Sequence, residues 1–328
     1  KPGAKRWFCS FSFGGYYMNK KSVVKPSGIG GQAVLEGVMM KNKDRYAVAV
    51  RKPDGEIEVE EGTCKSLRDK YFICDLPIIR GVVTFVESLV LGMKSLTDSS
   101  KYFEDEEDDA EEIDEDKKEK REKVETTFTV ILSIILAVGI FMILPFFISE
   151  LLKKVVASEK LLAVIEGVIR ILLFIGYVFA ISFVKDIKRV FMYHGAEHKT
   201  INCVEHMLPL TVENVKKQSR EHKRCGTSFI FIVLFISIIF FIFIRVDNMW
   251  LKILCRILLV PVIAGVSYEF IRLAGKSENS IVNALSKPGM LIQKLTTKEP
   301  DDSMIEVAIA SVEAVFDWKE FQKNKDAE

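Results

Sequence analysis

Residues 126–151, TTFTVILSIILAVGIFMILPFFISEL, form a long apolar run in which Glu150 is the only charged residue. A helix that crosses the hydrocarbon core of a bilayer needs roughly 20 predominantly apolar residues. Three further apolar stretches follow, at 161–184, 228–244 and 250–273. The sequence therefore predicts an α-helical multi-pass membrane protein with about four transmembrane helices, the first two within 125–184 and the last two within 228–273.

The connection between the second and third apolar stretches, residues 185–227, carries nine lysines and arginines. The other two connections, 152–160 and 245–249, are short. Positive charge accumulates on the cytoplasmic side of membrane proteins, so the long connection is expected inside the cell. With an even number of spans, both termini are expected to be cytoplasmic as well.

Charge is strongly segregated along this chain of 328 residues, although its formal net charge is only +1. Residues 1–27 mix basic, aromatic and glycine residues without a long apolar signal peptide, which predicts a flexible extension and gives no indication of secretion. Residues 98–124 contain an acidic run followed by a lysine-rich run, a composition typical of a solvated linker. The expected partners are the lipid bilayer and other membrane proteins, with no nucleic acid and no basis for an oligomeric state.

Residues 28–75 predict a small cytoplasmic α+β domain. Two alternating stretches, 46–50 and 56–60, flank Pro53-Asp54-Gly55, and this pattern is typical of a β-hairpin. Residues 76–97 predict an interfacial or re-entrant helix, because their charges Arg80, Glu87 and Lys94 are spaced by seven and form one stripe.

Residues 274–328 predict a cytoplasmic helical region. Ser303 and Glu306 have the spacing of a capping box, and an apolar face follows them. We expect this helix to pack as a lid on the cytoplasmic domain.

All four histidines of the chain lie within residues 194–222; Cys203 lies among them and Cys225 follows three residues after the last. Imidazoles, thiolates and carboxylates are the usual ligands of zinc and similar divalent transition metals. Two metal-binding patterns overlap in this window. Surface histidines that only form hydrogen bonds are the simplest alternative to both.

The first pattern is H-x-x-E-H, residues 194–198. On a helix, His194 and His198 share one face and could bind the metal, while Glu197 could act as general base. Glu269 or His222 could complete this site. Glu269 could equally form a salt bridge with Arg272.

The second pattern is Cys203-x2-His206 followed by His222-x2-Cys225, which has the spacing of a closed Cys2His2 structural zinc site. In this arrangement Glu197 has no role. The two patterns therefore predict different functions.

Charged residues also occur inside the predicted spans. Glu166 and Arg170 lie four residues apart and can pair on one helix face, which avoids an isolated charge in hydrocarbon. Together with Glu269 they also allow a transporter subunit. The absence of an internal repeat in four spans argues against transport by one chain alone.

Four stretches resemble the YqhQ family of bacterial multi-pass membrane proteins, over about residues 28–318. They are GGQAVLEGVMM at 30–40, YHGAEHKTINC at 193–203, RCGTSF at 224–229 and EPDD at 299–302. The resemblance implies a bacterial plasma-membrane protein of a group of unknown function that is described in terms of metal-dependent enzymes. It supplies no reaction.

These observations lead to three hypotheses. The first is a metal-dependent hydrolase that acts near the bilayer, with Glu197 as its catalytic base. The second is a non-catalytic membrane scaffold or assembly factor with a structural zinc. The third is a transporter subunit.

Overall fold

A computed structural model describes residues 25–103, 115–244, 246, 248–275 and 279–323. The described chain is mostly helical and contains one four-stranded sheet. The flexible extension expected at 1–27 and the acidic part of the expected linker lie almost entirely outside these residues.

The strands are β1 (Gly30–Val34), β2 (Gly37–Asn42), β3 (Arg45–Arg51) and β4 (Ile57–Thr63). The helices before the central connection are α1 (Leu67–Lys70), a 3-10 turn (Phe72–Asp75), α2 (Ile79–Ser100), α3 (Glu115–Val138), a π turn (Gly139–Ile143), α4 (Leu144–Leu152) and α5 (Glu159–Ile181). The remaining helices are α6 (Lys185–Glu205), α7 (Val212–Lys216), α8 (Gly226–Ile242), α9 (Met249–Ala274), α10 (Ser280–Thr296), α11 (Asp302–Val315) and α12 (Trp318–Lys323).

The sheet is an antiparallel meander in the order β1-β2-β3-β4. Its last hairpin pairs Arg51 with Ile57 around the Pro53-Asp54-Gly55 turn expected from the sequence. Gly55 has a φ of +91°, which a residue without Cβ adopts at little cost. Strands β1 and β2 were not expected, because their short, glycine-containing sequence shows little alternation.

Both faces of the sheet are covered by helices. Residues of β2 and β3 alternate between the faces, as the two-residue period of a strand requires. One face, with Met40 and Ala47, packs against α6 and α11. The other face, with Met39 and Val48, packs against Leu91 of α2. The core around the sheet is therefore assembled from three distant parts of the sequence.

Helix α11 forms one layer of this core, with Met304, Ile305 and Val312 fully buried. Its N-cap is Asp301, whose Oδ1 accepts a hydrogen bond of 2.9 Å from the backbone N–H of Met304. The capping box predicted at Ser303 is therefore wrong by two residues. The aspartate side chain reaches the free N–H groups first.

Three helical segments among the described residues are long and apolar enough to cross a membrane: Val124–Leu152, Glu159–Ile181 and Met249–Ala274. The expected third span is the shorter helix α8, which Cys225 caps at its start and which ends at Ile242. By length and composition, the described chain thus supports three of the four expected spans.

The first long segment is continuous through α3, the π turn and α4. Pro145, the second residue of α4, has no N–H to donate to the carbonyl of Phe141, four residues earlier. A π turn at this position accommodates the missing hydrogen bond.

Helix α2 lies between the sheet and α9. Gly81 faces Gly265 and Tyr268 of α9, and Gly92 faces Gln32 of β1; in both places an added Cβ would clash. The three charged residues spaced by seven along α2 each have a specific partner. Arg80 binds Glu269, Glu87 accepts hydrogen bonds from the residues 66 and 67 that begin α1, and Lys94 donates to Tyr46.

Residues 185–205 form helix α6 rather than a loop. Tyr193, Ala196, Thr200 and Val204 recur at helical spacing and are all buried. This buried face packs against β1 and α11. The interpretation of 185–227 as a long loop is thus wrong for its first half, because the apolar face of α6 is covered by the sheet domain.

Candidate metal centre

Helix α6 presents His194 and His198 on one face, one turn apart, with ring centroids separated by 4.4 Å. The segment before α11 passes very close to this helix. Gly195 makes that approach possible, because a Cβ there would lie 2.0 Å from the backbone oxygen of Lys298. The same segment brings the carbonyl of Thr296 to His194.

Each of these two imidazoles is held through its Nδ1 atom by a backbone carbonyl. His194 Nδ1 lies 2.9 Å from the carbonyl oxygen of Thr296, and His198 Nδ1 lies 2.6 Å from that of Arg220. A carbonyl oxygen only accepts hydrogen bonds, so Nδ1 carries the proton in both rings. The Nε2 atoms are therefore the ones available to a ligand. Metal-binding histidines are commonly oriented in this way.

Cys225 completes the cluster from the start of α8. Its Sγ lies 3.3 Å from Nε2 of His194 and accepts a hydrogen bond of 3.4 Å from the backbone N–H of Thr227. The ligand atoms of His194, His198 and Cys225 all lie within 4.8 Å of one another. His198 and Cys225 are almost fully buried, at 1% and 6% exposed.

The charges of this cluster are coupled. Burial raises the pKa of the Cys225 thiol, but the neighbouring His194 and His198 outweigh that effect and hold it well below its usual value. Burial lowers the pKa of His194, whereas the Cys225 thiolate outweighs this and raises it to about 9. The lowered pKa of Cys225 favours the thiolate, which is the form of cysteine that binds metals.

Glu197 lies beside the cluster on the same turn of α6. Its Oε2 is 3.9 Å from Nε2 of His194, and the residue is 5% exposed. Gly31 of β1 makes room for it, because a Cβ there would lie 2.8 Å from Cγ of Glu197. Within the described chain, its carboxylate accepts no hydrogen bond.

The donor set fits a zinc-like ion. Two imidazole nitrogens and one thiolate are ligands that zinc prefers, and three protein ligands are the number found in catalytic zinc sites. Bond lengths of roughly 2.0–2.1 Å to nitrogen and 2.3 Å to sulfur bring such donors to about 3–4 Å from one another. The separation of 3.3 Å between His194 and Cys225 is within this range.

His222 lies next to the cluster but faces a different partner. Its ring centroid is 5.8 Å from that of His198, and its Nε2 is 3.3 Å from Oε2 of Glu205. Its backbone is fixed by Gln293 of α10, which accepts from the N–H and donates to the carbonyl of His222 at 2.8 and 2.7 Å. His222 therefore supports the segment that carries Cys225.

Glu205 is the centre of this supporting network. Besides His222, it accepts hydrogen bonds from Arg224 and from both the backbone and side chain of Ser27. Burial alone would raise the pKa of Glu205, but these donors outweigh it and lower the pKa to about 2.

Cys203 and His206 do not approach the cluster, and the predicted Cys2His2 set is not brought together. Cys203 is fully buried in the core against α11, with Sγ 3.5 Å from the carbonyl oxygen of Pro209. Burial raises the pKa of its thiol to about 11, which disfavours the thiolate. His206 ends α6 and its Nδ1 contacts the carbonyl of Asn202 at 2.7 Å. The regular 3.6-residue turn of α6 points both side chains away from His194 and His198.

Glu269 is not in the cluster either. It forms a two-pronged salt bridge with Arg80 of α2, at 2.6 and 2.5 Å, and lies 3.8 Å from Arg272. The expected pairing with Arg272 is thus secondary to one with Arg80. A guanidinium group that engages both carboxylate oxygens leaves Glu269 unsuited as a metal ligand.

Several groups that shape the site were not identified from the sequence. The carbonyls of Thr296 and Arg220 carry no sequence signal. Gln293 of α10 is fully buried, and a buried polar side chain needs hydrogen-bond partners that the sequence does not reveal. Glu205 could have been found because it lies between Cys203 and His206 in the histidine-rich window.

The four sequence stretches that carry the family resemblance meet around α6. Gly31 contacts Glu197, and Glu36 binds Arg189 and Tyr193 at the other end of the first stretch. Cys225 lies against His194, and Glu299 binds Lys199. Stretches separated by up to about 270 residues therefore serve one location.

The fold and the site define a class: a helical protein with several apolar helices and a His-His-Cys cluster beside a small sheet domain. Residues 76–318 match the family described as a protein of unknown function, DUF1385. The chain is also 38% identical over 298 residues, which cover 90% of it and 93% of the relative, to the uncharacterized protein YqhQ of Bacillus subtilis (strain 168). No solved structure matches it. This chain belongs to the DUF1385 family that includes YqhQ.

Proposed function

We propose that this protein is an integral membrane protein of the bacterial plasma membrane that holds a zinc-like ion through His194, His198 and Cys225 and hydrolyses a bond near the bilayer surface. The observation that carries the proposal is the pair of Nδ1–carbonyl contacts. They fix both imidazoles so that their Nε2 atoms and the Cys225 thiolate converge.

In this proposal each residue has a distinct role. His194, His198 and Cys225 bind the ion, which would supply a Lewis acid and make a water molecule more acidic. Glu197 holds a carboxylate 3.9 Å from Nε2 of His194 and accepts the proton of that water. Cys225 caps the start of an apolar helix, which supports a site where the sheet domain meets the apolar helices.

The substitution Glu197→Gln tests the hydrolase. It keeps the size of the side chain and removes the base, so we expect a folded protein with unchanged metal content that fails to complement a deletion strain. Glu213→Gln is the matched control, because Glu213 is a glutamate on α7 outside the cluster. A Glu197→Gln variant that complements fully would contradict hydrolysis.

A structural metal in a non-catalytic scaffold is the second candidate, and the burial of the cluster favours it. His198 and Cys225 have little solvent access, and a shift of the Glu197 side chain, which lies 3.9 Å from Nε2 of His194 but outside the three-residue ligand group, would bring in a fourth ligand. In a closed site, binding energy is folding energy. Glu197→Gln would then lose metal and thermal stability together, whereas the hydrolase predicts that both are retained.

The cytoplasmic location of the cluster is also part of the proposal, and it depends on whether α8 spans the bilayer. We compare Lys217→Cys with Asn248→Cys, using an impermeant thiol reagent on intact cells and the wild type as background. If α8 spans, the cysteine at 248 reacts and the one at 217 does not. Equal labelling of the two sites would place both ends of α8 on one side and contradict four spans.

A further inference from the structure

A second buried polar cluster lies among the apolar helices, at their end remote from the His-His-Cys cluster. Glu166 and Arg170 of α5 and Arg256 of α9 are each less than 5% exposed. Glu166 Oε1 accepts hydrogen bonds from Arg170 at 2.7 Å and from Arg256 at 2.5 Å. Two guanidinium groups thus share one carboxylate, and the cluster carries excess positive charge.

Arg170 is well satisfied by its surroundings. Its Nε donates to the carbonyl of Phe141 at 2.7 Å, which is the carbonyl that Pro145 cannot engage, and another nitrogen donates to Ser237 at 3.0 Å. The guanidinium also lies 5.0 Å from the ring centroid of Phe241. Arg170 therefore has a structural role in joining α5 to α8 and to the π turn.

Arg256 is different. Its Nε has no hydrogen-bond acceptor within the described chain, although the residue is 96% buried. The guanidinium lies 4.7 and 4.9 Å from the ring centroids of Phe146 and Phe241. Aromatic faces compensate a buried cation only in part, and an unsatisfied buried donor of a charged group is costly. Glu166 therefore serves two guanidinium groups, and the Nε donor of Arg256 has no acceptor within the described chain.

A cavity of about 290 Å³ adjoins Arg256 between α4, α5, α8 and α9. Four cationic and three acidic side chains line it, and one of the acidic ones, Glu166, is also neutralised by Arg170. Lys153 is paired with Glu150. Within the described chain, no ion pair joins Lys160, Lys252 or Glu159. With Arg170 bound to Glu166, the cationic side chains around the cavity outnumber the acidic ones by five to three.

We infer that this cavity binds a phosphate group, with Arg256 at its buried side and Lys160 and Lys252 as further donors. A guanidinium fork can engage two oxygens of a phosphate, and the lysines supply additional charge. The volume exceeds that of a simple ion and suits a phosphate with its attached group. Phosphate esters reach such a site either as lipid headgroups or in solution, and the site recognises the chemistry that both share.

This site is independent of the proposed metal centre. Helix α8 begins at the His-His-Cys cluster and lines the cavity with Phe241 and Ile242 at its other end. At a rise of 1.5 Å per residue, α8 separates the two by roughly 25 Å. Binding at the cavity is therefore expected to persist in a Cys225→Ala protein.

The test measures thermal unfolding of the full chain in two settings. In detergent, inorganic phosphate is compared with chloride at the same ionic strength. In nanodiscs, a galactolipid without phosphate is compared with the same galactolipid plus phosphatidylglycerol. A ligand that binds the folded state raises the unfolding temperature with increasing concentration.

We expect the double variant Lys160→Gln/Lys252→Gln to bind about tenfold more weakly, since hydrogen bonds to charged groups are lost. Lys154→Gln, in the same connection but outside the cavity lining, should bind as wild type. Arg256→Lys keeps the charge but loses the fork and should also weaken binding.

Stabilisation by phosphatidylglycerol alone would assign the site to lipid headgroups, and stabilisation by inorganic phosphate alone would assign it to soluble phosphate. Stabilisation by both would show a site open to either source. Each of these outcomes supports the inference if the double variant loses the effect. The inference is overturned if neither setting shows stabilisation. It is also overturned if the double variant is stabilised as much as the wild type, or if Lys154→Gln loses the stabilisation as fully as the double variant.

Discussion

Cys225 and Cys203 belong to the same short window of sequence, and each has a histidine three residues away, yet they occupy opposite chemical environments. Cys225 lies 3.3 Å from Nε2 of His194, and the histidines around it keep its pKa low. Cys203 faces the apolar core, where burial raises its pKa to about 11. Both residues are cysteines with the same three-residue spacing to a histidine. The difference arises from which helix face each cysteine occupies and from the backbone groups that orient its neighbours.

The comparison teaches that a metal centre depends on its supporting groups as much as on its ligands. His194 and His198 have Nδ1 atoms bonded to carbonyls of other segments, which leaves Nε2 facing Cys225. The Nδ1 of His206 contacts the carbonyl of Asn202 in its own helix, and His206 is not part of the ligand group found within the described chain. Orientation from outside the helix separates a candidate ligand from a helix-capping histidine.

The largest expected effect comes from replacing Cys225 and Cys203 with alanine in two separate variants. Cys225→Ala should abolish metal binding, because it removes the thiolate of a site with three protein ligands. Cys203→Ala should retain full metal content and lose only a small part of its thermal stability. Metal content of both purified variants checks this. Equal loss of metal in the two variants would mean that the ligand set proposed here is wrong.

A smaller effect is expected from Gln293→Leu, which keeps the volume of the side chain but leaves the N–H and carbonyl of His222 without their partners. Two unsatisfied buried groups should lower the free energy of unfolding by about 2–4 kcal/mol. Metal affinity should fall about tenfold, as is typical when groups that orient a site are removed.

Gln218→Leu is the control for this substitution, because Gln218 donates only to Asn214 near the end of α7. Chemical denaturation and metal titration measure the two quantities. If both variants behave alike, the role assigned to Gln293 in holding the Cys225 segment is refuted.

The smallest effect concerns pH. The pKa of Glu205 is about 2 in the folded protein, against 4.5 for a free glutamate. A lowered pKa stabilises the folded state above about pH 4.5, and this contribution is lost as the pH falls towards 2. It amounts to at most about 3 kcal/mol. Glu205→Gln should be less stable at neutral pH and show a flatter acid dependence; identical acid profiles for the variant and the wild type would contradict this.

Much of the architecture could be predicted from the sequence because it follows from local patterns. Apolar runs located α5 and α9 to within a few residues, and Pro53-Asp54-Gly55 located the last hairpin. Strands β1 and β2 could not be found, because they are stabilised by helices that are distant in sequence. Helix α8 begins and ends two residues before the expected stretch 228–244, because its start is set by the cap at Cys225, which a hydropathy pattern does not contain.

In the candidate site, too, local patterns predicted some features, and others depend on contacts between distant segments. The i, i+4 spacing of His194 and His198 correctly indicated that they share a helix face. The partner Cys225 was assigned to a competing pattern, because only the folded chain brings the start of α8 to α6. Glu269 was wrongly predicted to lie near the histidines. The sequence does not show that α2 packs against α9 and brings Arg80 to Glu269.

The measurement that tests the central claim most directly is X-ray absorption spectroscopy at the zinc edge on the purified, metal-loaded protein. The proposed centre predicts one sulfur ligand at about 2.3 Å together with nitrogen or oxygen ligands at about 2.0–2.1 Å; Cys203→Ala should keep this set, and Cys225→Ala should take up no zinc. Two sulfur ligands, or a protein that takes up no stoichiometric metal, would contradict it.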